Sequence, residues 1–149
     1  TGDGGGGRVK IFENQPAEWG TKVNFIDDNN VVVGFDSHQD CCEQWGWYFA
    51  NHEPDTANPE LKEGDTPLNP DAAHLEPYSF DAEWFKELAG DVDNKYGWNV
   101  LDGGGAVAFR LTADGAPDLY LILYNCHNGY YSHGFDVEVV GEQIRSGNL

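Results

Sequence analysis

The segment SHQDCCEQWGWYF at 37–49 concentrates potential metal ligands and nucleophiles in a short stretch of chain. His38 and Cys41 have the H-x-x-C spacing of one half of a zinc site, and Cys42 adds a second thiol. A thiolate and a neutral imidazole are borderline-soft donors that suit zinc and similar divalent metals. The segment therefore raises three alternatives: a metal site, a reactive cysteine, or the edge of a hydrophobic core.

A second group of such residues occurs in the segment CHNGYYSH near the C-terminus. If Asn128 and Gly129 form a two-residue hairpin turn, Cys126 opposes Tyr131 and shares a face with His133. The metal hypothesis joins this pair to the first segment. Its ligand set is His38, Cys41, Cys42, Cys126 and His133.

The structural alternative is preferred over the metal site. Zinc sites usually show CxxC or HxxxH pairs, which this chain lacks, and adjacent Cys41 and Cys42 point to opposite faces of an extended strand. A cysteine nucleophile with His38 or His133 as its base needs a spatial pairing that spacing alone does not give. We expect the carboxylates and small thiols to organise a tight turn. Its residues are Asp40, Cys41, Cys42, Glu43, Asn128, Gly129, Tyr130, Tyr131 and Ser132.

Composition limits the classes of partner. The 149 residues include 26 acidic and 8 basic side chains, for a formal charge of −18. This charge disfavours nucleic acids and anionic membranes, and it favours cationic proteins or divalent ions such as zinc as partners. No apolar run approaches the roughly 18 residues of a membrane helix. No catalytic residue is assigned and no cofactor is firmly implied, so a non-enzymatic module is favoured.

The two groups must be positioned by strands. Segments rich in β-branched and aromatic residues predict strands, and DDNN and ADGAPD between them are turn sequences. The strand segments are RVKIFEN, TKVNFIDD, NVVVGFD, EQWGWYFA, GAVAFRLT, DLYLILYN and YYSHGFDVEVV. The last of these is expected to pair with DLYLILYN as the end of a C-terminal meander. Trp45, Trp47 and Trp98 would offer a stacking platform for sugars if exposed, although aromatic residues at strand spacing are usually core.

One segment, around 80–89, changes the period to that of a helix, with Ser79 or Asp81 as its cap. Its apolar stripe is Phe80, Trp84, Phe85 and Leu88. The predicted fold class is α+β but mainly β, a twisted antiparallel sheet with this single packed helix.

The chain is long enough for one domain with its own core. We expect a mainly-β domain over 8–142, a flexible Gly-rich tail at 1–7 and a loose C-terminal tail at 143–149. The stretch 51–77 carries many prolines and acidic residues and predicts a long surface excursion.

Two segments resemble a known family. SHQDCCE at 37–43 is similar to the H-x-QDCCE signature of a small family of uncharacterised bacterial and tailed-phage proteins. HNGYYS at 127–132 is similar to the SNGYYS segment near the C-terminus of that family. The resemblance implies a bacterial or phage origin, and it implies that both segments belong to one fold and lie close together.

The resemblance implies no activity, because the family has none established. Cys126, His127 and His133 are not part of the family pattern, so a metal site would be particular to this chain. Three function classes remain: a non-enzymatic binding or structural module, a divalent-metal protein, and an acidic surface mimic or decoration protein. Self-assembly stays open. A cytoplasmic or phage-particle location is favoured, with export left open.

Overall fold

The computed structural model describes residues 9–17, 20–37, 44–51, 53, 75, 77–88, 105–126 and 134–149. Within these ranges the strands form two antiparallel sheets: sheet A in the order β1-β2-β3-β8-β9 and sheet B in the order β4-β7-β6-β5. Their bounds are β1 Lys10–Ala17, β2 Gly20–Ile26, β3 Val31–Asp36, β4 Gln44–Ala50, β5 Ser79–Leu88, β6 Gly105–Thr112, β7 Leu119–Cys126, β8 Gly134–Val139 and β9 Glu142–Asn148. The expected mainly-β, antiparallel fold is confirmed, but the strands form two sheets where a single sheet was expected.

The two sheets pack on each other through one hydrophobic core. Phe25 of sheet A meets Trp47 of sheet B edge to face, with ring centroids 5.1 Å apart. Towards the other edges, Phe135 of sheet A lies 6.2 Å from Phe109 of sheet B. Burying each such side chain stabilises the fold by about 1.5–3 kcal/mol. Trp47 thus serves the core and is not part of an exposed sugar platform.

A buried carboxylate ties the sheets together. Asp27, 4% exposed, follows β2 and accepts hydrogen bonds through Oδ1 from the backbone N–H groups of Asn29 and Val31, at 2.9 and 3.0 Å. Its Oδ2 accepts from the N–H of Phe80, on sheet B, at 2.8 Å. The β2–β3 turn, expected from the sequence DDNN, is therefore also a link between the sheets.

The predicted helix around 80–89 is wrong, because Ser79–Leu88 forms strand β5. Phe80 and Phe85 pair with Leu111 and Phe109, so five positions along β5 oppose two along β6. Three additional residues in this irregularity turn both phenylalanines towards the core, whereas Trp84 packs on the outer face of sheet B. The stripe expected of a helix is therefore divided between two faces. Within the described ranges, no helix has the length and apolar character needed to cross a membrane.

Two further expectations are corrected. Strand β7 lies between β4 and β6 in sheet B, whereas β8 lies between β3 and β9 in sheet A, so the expected β7–β8 hairpin pairing is wrong. The segment 143–149, expected to be loose, forms most of β9, and Leu149 is 7% exposed. The buried side chain of Asn125 donates to the carbonyl of Leu149 at 3.1 Å. The tail 1–7 and most of 51–77 lie outside the described residues.

Candidate functional site

The two motif segments each connect a strand of sheet A to a strand of sheet B, and the strands they connect are neighbours in both sheets. Residues 38–43 link Ser37, at the end of β3, to β4, and residues 127–133 link β7 to β8. β3 and β8 are neighbours in sheet A, as β4 and β7 are in sheet B. At the sheet A side, the N–H of Gly134 donates to Asp36 Oδ2 at 2.9 Å. At the sheet B side, Cys126 pairs with Gln44.

The two connections cross from one sheet to the other, and each spans the same number of residues between paired positions. Phe35 and Gln44 are nine positions apart, and so are their partners Phe135 and Cys126. The face that points inward is also kept, since odd-numbered residues of β3, β4, β7 and β8 contribute to the core. Equal spacing and the same inward face are what one continuous antiparallel ribbon running from sheet A to sheet B would have.

The predicted site residues fall mostly in these connections. The segments 40–43 and 128–132, His38 and His133 lie outside the described residues, and of Cys126 only the backbone is described. Among the side chains that the structure describes, no three of histidine, cysteine, aspartate or glutamate lie close enough to hold a metal ion. The metal set and the structural turn therefore remain predictions.

A polar surface that sequence reasoning missed lies on the outer face of sheet A, away from the core. Two rows of directly paired residues cross the sheet there, and we refer to them as the glycine-floored strip. The first row is Phe12, Asn24, Gly34, Asp136 and Ser146, and the second is Gln15, Lys22, Asp36, Gly134 and Asn148. Because directly opposed residues share a face, the strip presents these side chains together.

Three side chains of the strip lean over Gly34. A Cβ atom at Gly34 would lie 2.8 Å from Asp136 Oδ1, 3.0 Å from Asn24 Oδ1 and 3.0 Å from Lys22 Cε. Lys22 Nζ lies 3.5 Å from Asp136 Oδ1, and both side chains remain about one-quarter exposed, at 23% and 24%. The Oδ1 atom of Asn24 is buried and has no hydrogen-bond partner among the described residues. The strip thus brings an ammonium, an amide and a carboxylate to one point.

The outer face of sheet B has a different character. Its centre is a second hydrophobic cluster, in which Ala108 and Ile122 are fully buried, at 0% exposed. The other buried members are Ala50, Ala106 and Tyr120, and Tyr48, Trp84 and Tyr124 pack around them. Glu53, soon after β4, forms an ion pair of 2.8 Å with Lys86 on β5, the opposite edge of the sheet. Glu53 therefore lies over this face.

Arg110 is the main charged group against this cluster. It forms an ion pair with Asp81 at 2.5 Å, and its guanidinium lies 5.6 Å from the centre of the Trp84 ring. Asp81 also accepts a hydrogen bond from the N–H of Glu83 within the irregular part of β5. Asp81 therefore stabilises the irregular part of β5 and pairs with Arg110. It does not cap a helix, as the sequence had predicted.

Two buried tyrosines have raised pKa values: Tyr78 in the core between the sheets and Tyr120 on the outer face of sheet B. Burial, and after it the charge of Asp118, raises the pKa of Tyr78 above 10.0, and its hydroxyl donates to the carbonyl of Pro117 at 2.7 Å. The pKa of Tyr120 is also raised, by burial and by the charges of Asp118 and Glu53, whereas Arg110 lowers it.

The strip carries a sequence signal that is clear only once the pairing is known. Lys22 and Asn24 alternate with buried Val23 and Phe25, which marks them as outward-facing residues of a strand. The pairing that sets Gly34 beside a strand about one hundred positions away has no local signal.

In comparisons with known proteins, no family model, curated protein or solved structure matches this chain.

Proposed function

We propose that this chain is a non-enzymatic binding or structural module of bacterial or phage origin. The segments 40–43 and 128–132 serve the fold by holding the two-stranded ribbon where it passes between the sheets. The outer face of sheet A presents the ligand-binding surface. The resemblance of the motif segments to a bacterial and phage family supports the origin.

The observation that carries the structural part is the unchanged register on both sides of the crossing. Phe35 pairs with Phe135 before it and Gln44 with Cys126 after it, with equal numbers of residues between. A ribbon that bends between sheets must find partners for backbone groups that leave the ladder. In the proposed turn, the carboxylates of Asp40 and Glu43 are suited to accept hydrogen bonds from such N–H groups. The two cysteines supply side chains small enough for a close approach of two backbones.

The binding part rests on the contrast between exposed and buried polar groups. Lys22, Asn24 and Asp136 converge over Gly34 on the outer face of sheet A. Lys22 and Asp136 stay about one-quarter exposed there, and their single 3.5 Å contact leaves hydrogen-bonding capacity. Asp27, by contrast, is deeply buried, and both of its carboxylate oxygens accept hydrogen bonds from the backbone of the fold. A surface that gathers donors and acceptors without closing them on one another is suited to recognition.

A divalent-metal protein is the second candidate, and the topology favours it over a chance collection of ligands. The segments that hold His38, Cys41, Cys42 and His133 begin and end at neighbouring positions, and Cys126 is the last residue of β7. A regular ladder through the crossing would set Cys41 and Cys42 on opposite faces. A single site using both thiols would therefore need a local break in the ladder.

The experiment that separates the candidates compares the untagged wild-type chain with the Cys41→Ser, Cys42→Ser double variant. Metal content is measured by elemental mass spectrometry, and thermal unfolding is followed by circular dichroism. The structural proposal expects metal-free wild-type protein and a lower Tm in the variant. Near-stoichiometric zinc in the wild type, absent from the variant, would replace the structural proposal with the metal protein. Because Cys126 belongs to the metal set but not to the structural turn, loss of zinc from a Cys126→Ser variant is expected only of the metal protein.

A further inference from the structure

We propose that the glycine-floored strip is a binding site for a neutral saccharide. This inference rests on the proposed binding function and assigns its ligand class. Four of the strip's residues carry the argument: Phe12 as an aromatic contact, and Lys22, Asn24 and Asp136 as hydrogen-bonding groups. They belong to strands β1, β2 and β8, so the site exists only in the folded sheet.

The hydrogen-bonding groups match sugar hydroxyls. A hydroxyl both donates and accepts, and a pair of neighbouring hydroxyls is complementary to a carboxylate beside an amide or an ammonium. Asp136 offers only acceptors and Lys22 offers only donors. Asn24 offers the donors of its amide, because its Oδ1 is buried. The long 3.5 Å separation of Lys22 Nζ and Asp136 Oδ1 leaves each group able to bond a ligand.

The aromatic group completes the match. Phe12 is 41% exposed and directly opposes Asn24 at the edge of the same row. A phenyl ring exposed beside polar groups can pack against the apolar C–H face of a sugar ring while the polar groups take its hydroxyls. Because Gly34 has no side chain, the ends of Lys22, Asn24 and Asp136 can converge over it. At the centre of the row a ligand therefore meets these side chains and not the backbone.

The charge pattern selects a neutral ligand. Lys22 lies between Asp36 and Asp136 in the strip, so a simple cation would meet an ammonium at the centre. An anion would meet two carboxylates and a chain of formal charge −18. A neutral ligand with alternating donors and acceptors meets neither repulsion.

The test uses isotope-labelled full-length chain and backbone amide NMR. Maltotriose, cellotriose and chitotriose are the neutral probes, and hexalysine is the cationic probe. We expect at least one sugar to shift the signals of Asn24, Gly34 and Asp136 saturably. Phe12→Ala should weaken that sugar's Kd at least about tenfold, because the stacking contact is lost. Val140→Ser, at an exposed hydrophobic residue outside both rows, should leave the Kd within about twofold.

Each other outcome overturns the saccharide site. This holds if no sugar shifts the strip, if the shifts map elsewhere, or if Phe12→Ala leaves the Kd unchanged. A response to hexalysine alone would reassign the strip to a cationic partner. Metal analysis tests the proposed function separately. Stoichiometric metal together with sugar binding at the strip would overturn only the structural role of the cysteines. Metal-free protein without sugar binding would overturn the saccharide alone.

Discussion

The outer faces of the two sheets share the same strand geometry but differ in composition and in burial. On sheet A, Gly34 lies beneath polar side chains that stay partly exposed. On sheet B, Ala108 and Ile122 are fully buried beneath aromatic side chains, and Glu53 lies over the face. The outer face of sheet B acts as a second core, so its residues contribute to stability. The outer face of sheet A contributes less to stability and is open to a ligand.

The largest expected effect comes from truncating an apolar side chain at the centre of each outer face. Ile122→Ala removes a side chain that is 0% exposed and should lower the free energy of unfolding by about 3 kcal/mol. Val32→Ala removes a half-buried side chain and should cost about 1 kcal/mol. Urea unfolding measures both. Equal costs would show that the two faces are equally covered and would remove the contrast.

Asp27 tests the link that both sheets share. Asp27→Asn keeps one carbonyl oxygen but loses the charge and one acceptor among three backbone N–H donors, so it should cost about 2–3 kcal/mol. Its exposed neighbour is the control, since Asp28→Asn should change stability by less than about 0.5 kcal/mol. Thermal unfolding that moves equally in both variants would contradict a specific link through Asp27.

Glycine substitutions compare the two faces at the backbone. A Cβ atom at Gly46 would lie 2.7 Å from the hydroxyl oxygen of Tyr124 and 3.0 Å from its ring carbon Cζ, so Gly46→Ala must displace a stiff ring. We expect a cost of about 1–3 kcal/mol. Gly34→Ala meets the flexible ends of side chains and should cost less than about 1 kcal/mol. It should nevertheless abolish saccharide binding, which NMR titration would detect.

If Gly34→Ala proves the more destabilising variant, the assignment of the faces is reversed. If it leaves saccharide binding intact, the floor of the strip is not the contact surface. Both readouts come from the same folded samples, so loss of binding can be separated from loss of structure.

Much of the fold could be predicted from local patterns. Period-two alternation gave the strands, and the turn sequences DDNN and ADGAPD gave the β2–β3 and β6–β7 hairpins. Each of these pairings joins neighbouring segments through a short turn, so composition and alternation are sufficient. The helix at 80–89 was wrong because the irregularity between Phe80 and Phe85 breaks the period-two alternation of strand β5 and so hides the strand.

The candidate site was beyond such patterns. The dipeptide Asn128–Gly129 favours a hairpin locally, but β7 already has β4 and β6 as neighbours, so tertiary pairing decides the topology. The strip depends on the pairing of Gly34 with Asp136, which no short-range signal reveals. Alternation showed that Lys22 and Asn24 face outward, but it could not show which residues stand beside them.

The smallest expected effect concerns alkaline pH. An unfolded tyrosine loses its proton near pH 10.0, whereas folded Tyr78 and Tyr120 hold theirs to higher pH. Above pH 10.0 the folded state therefore binds more protons, so their contribution to stability, complete at lower pH, is lost as the pH rises. Asp118→Asn removes a charge that raises the pKa of both groups.

Both pKa values should therefore fall in Asp118→Asn, yet stay above 10.0, because burial is the larger cause for each. Ultraviolet titration of tyrosinate, with Tyr78→Phe and Tyr120→Phe to assign the two groups, measures the change. The variant should also lose less stability between neutral and alkaline pH. A Tyr120 that ionises normally in the wild type would show that water reaches the outer face of sheet B. In that case the two outer faces would differ in composition but not in how well their side chains are shielded from water.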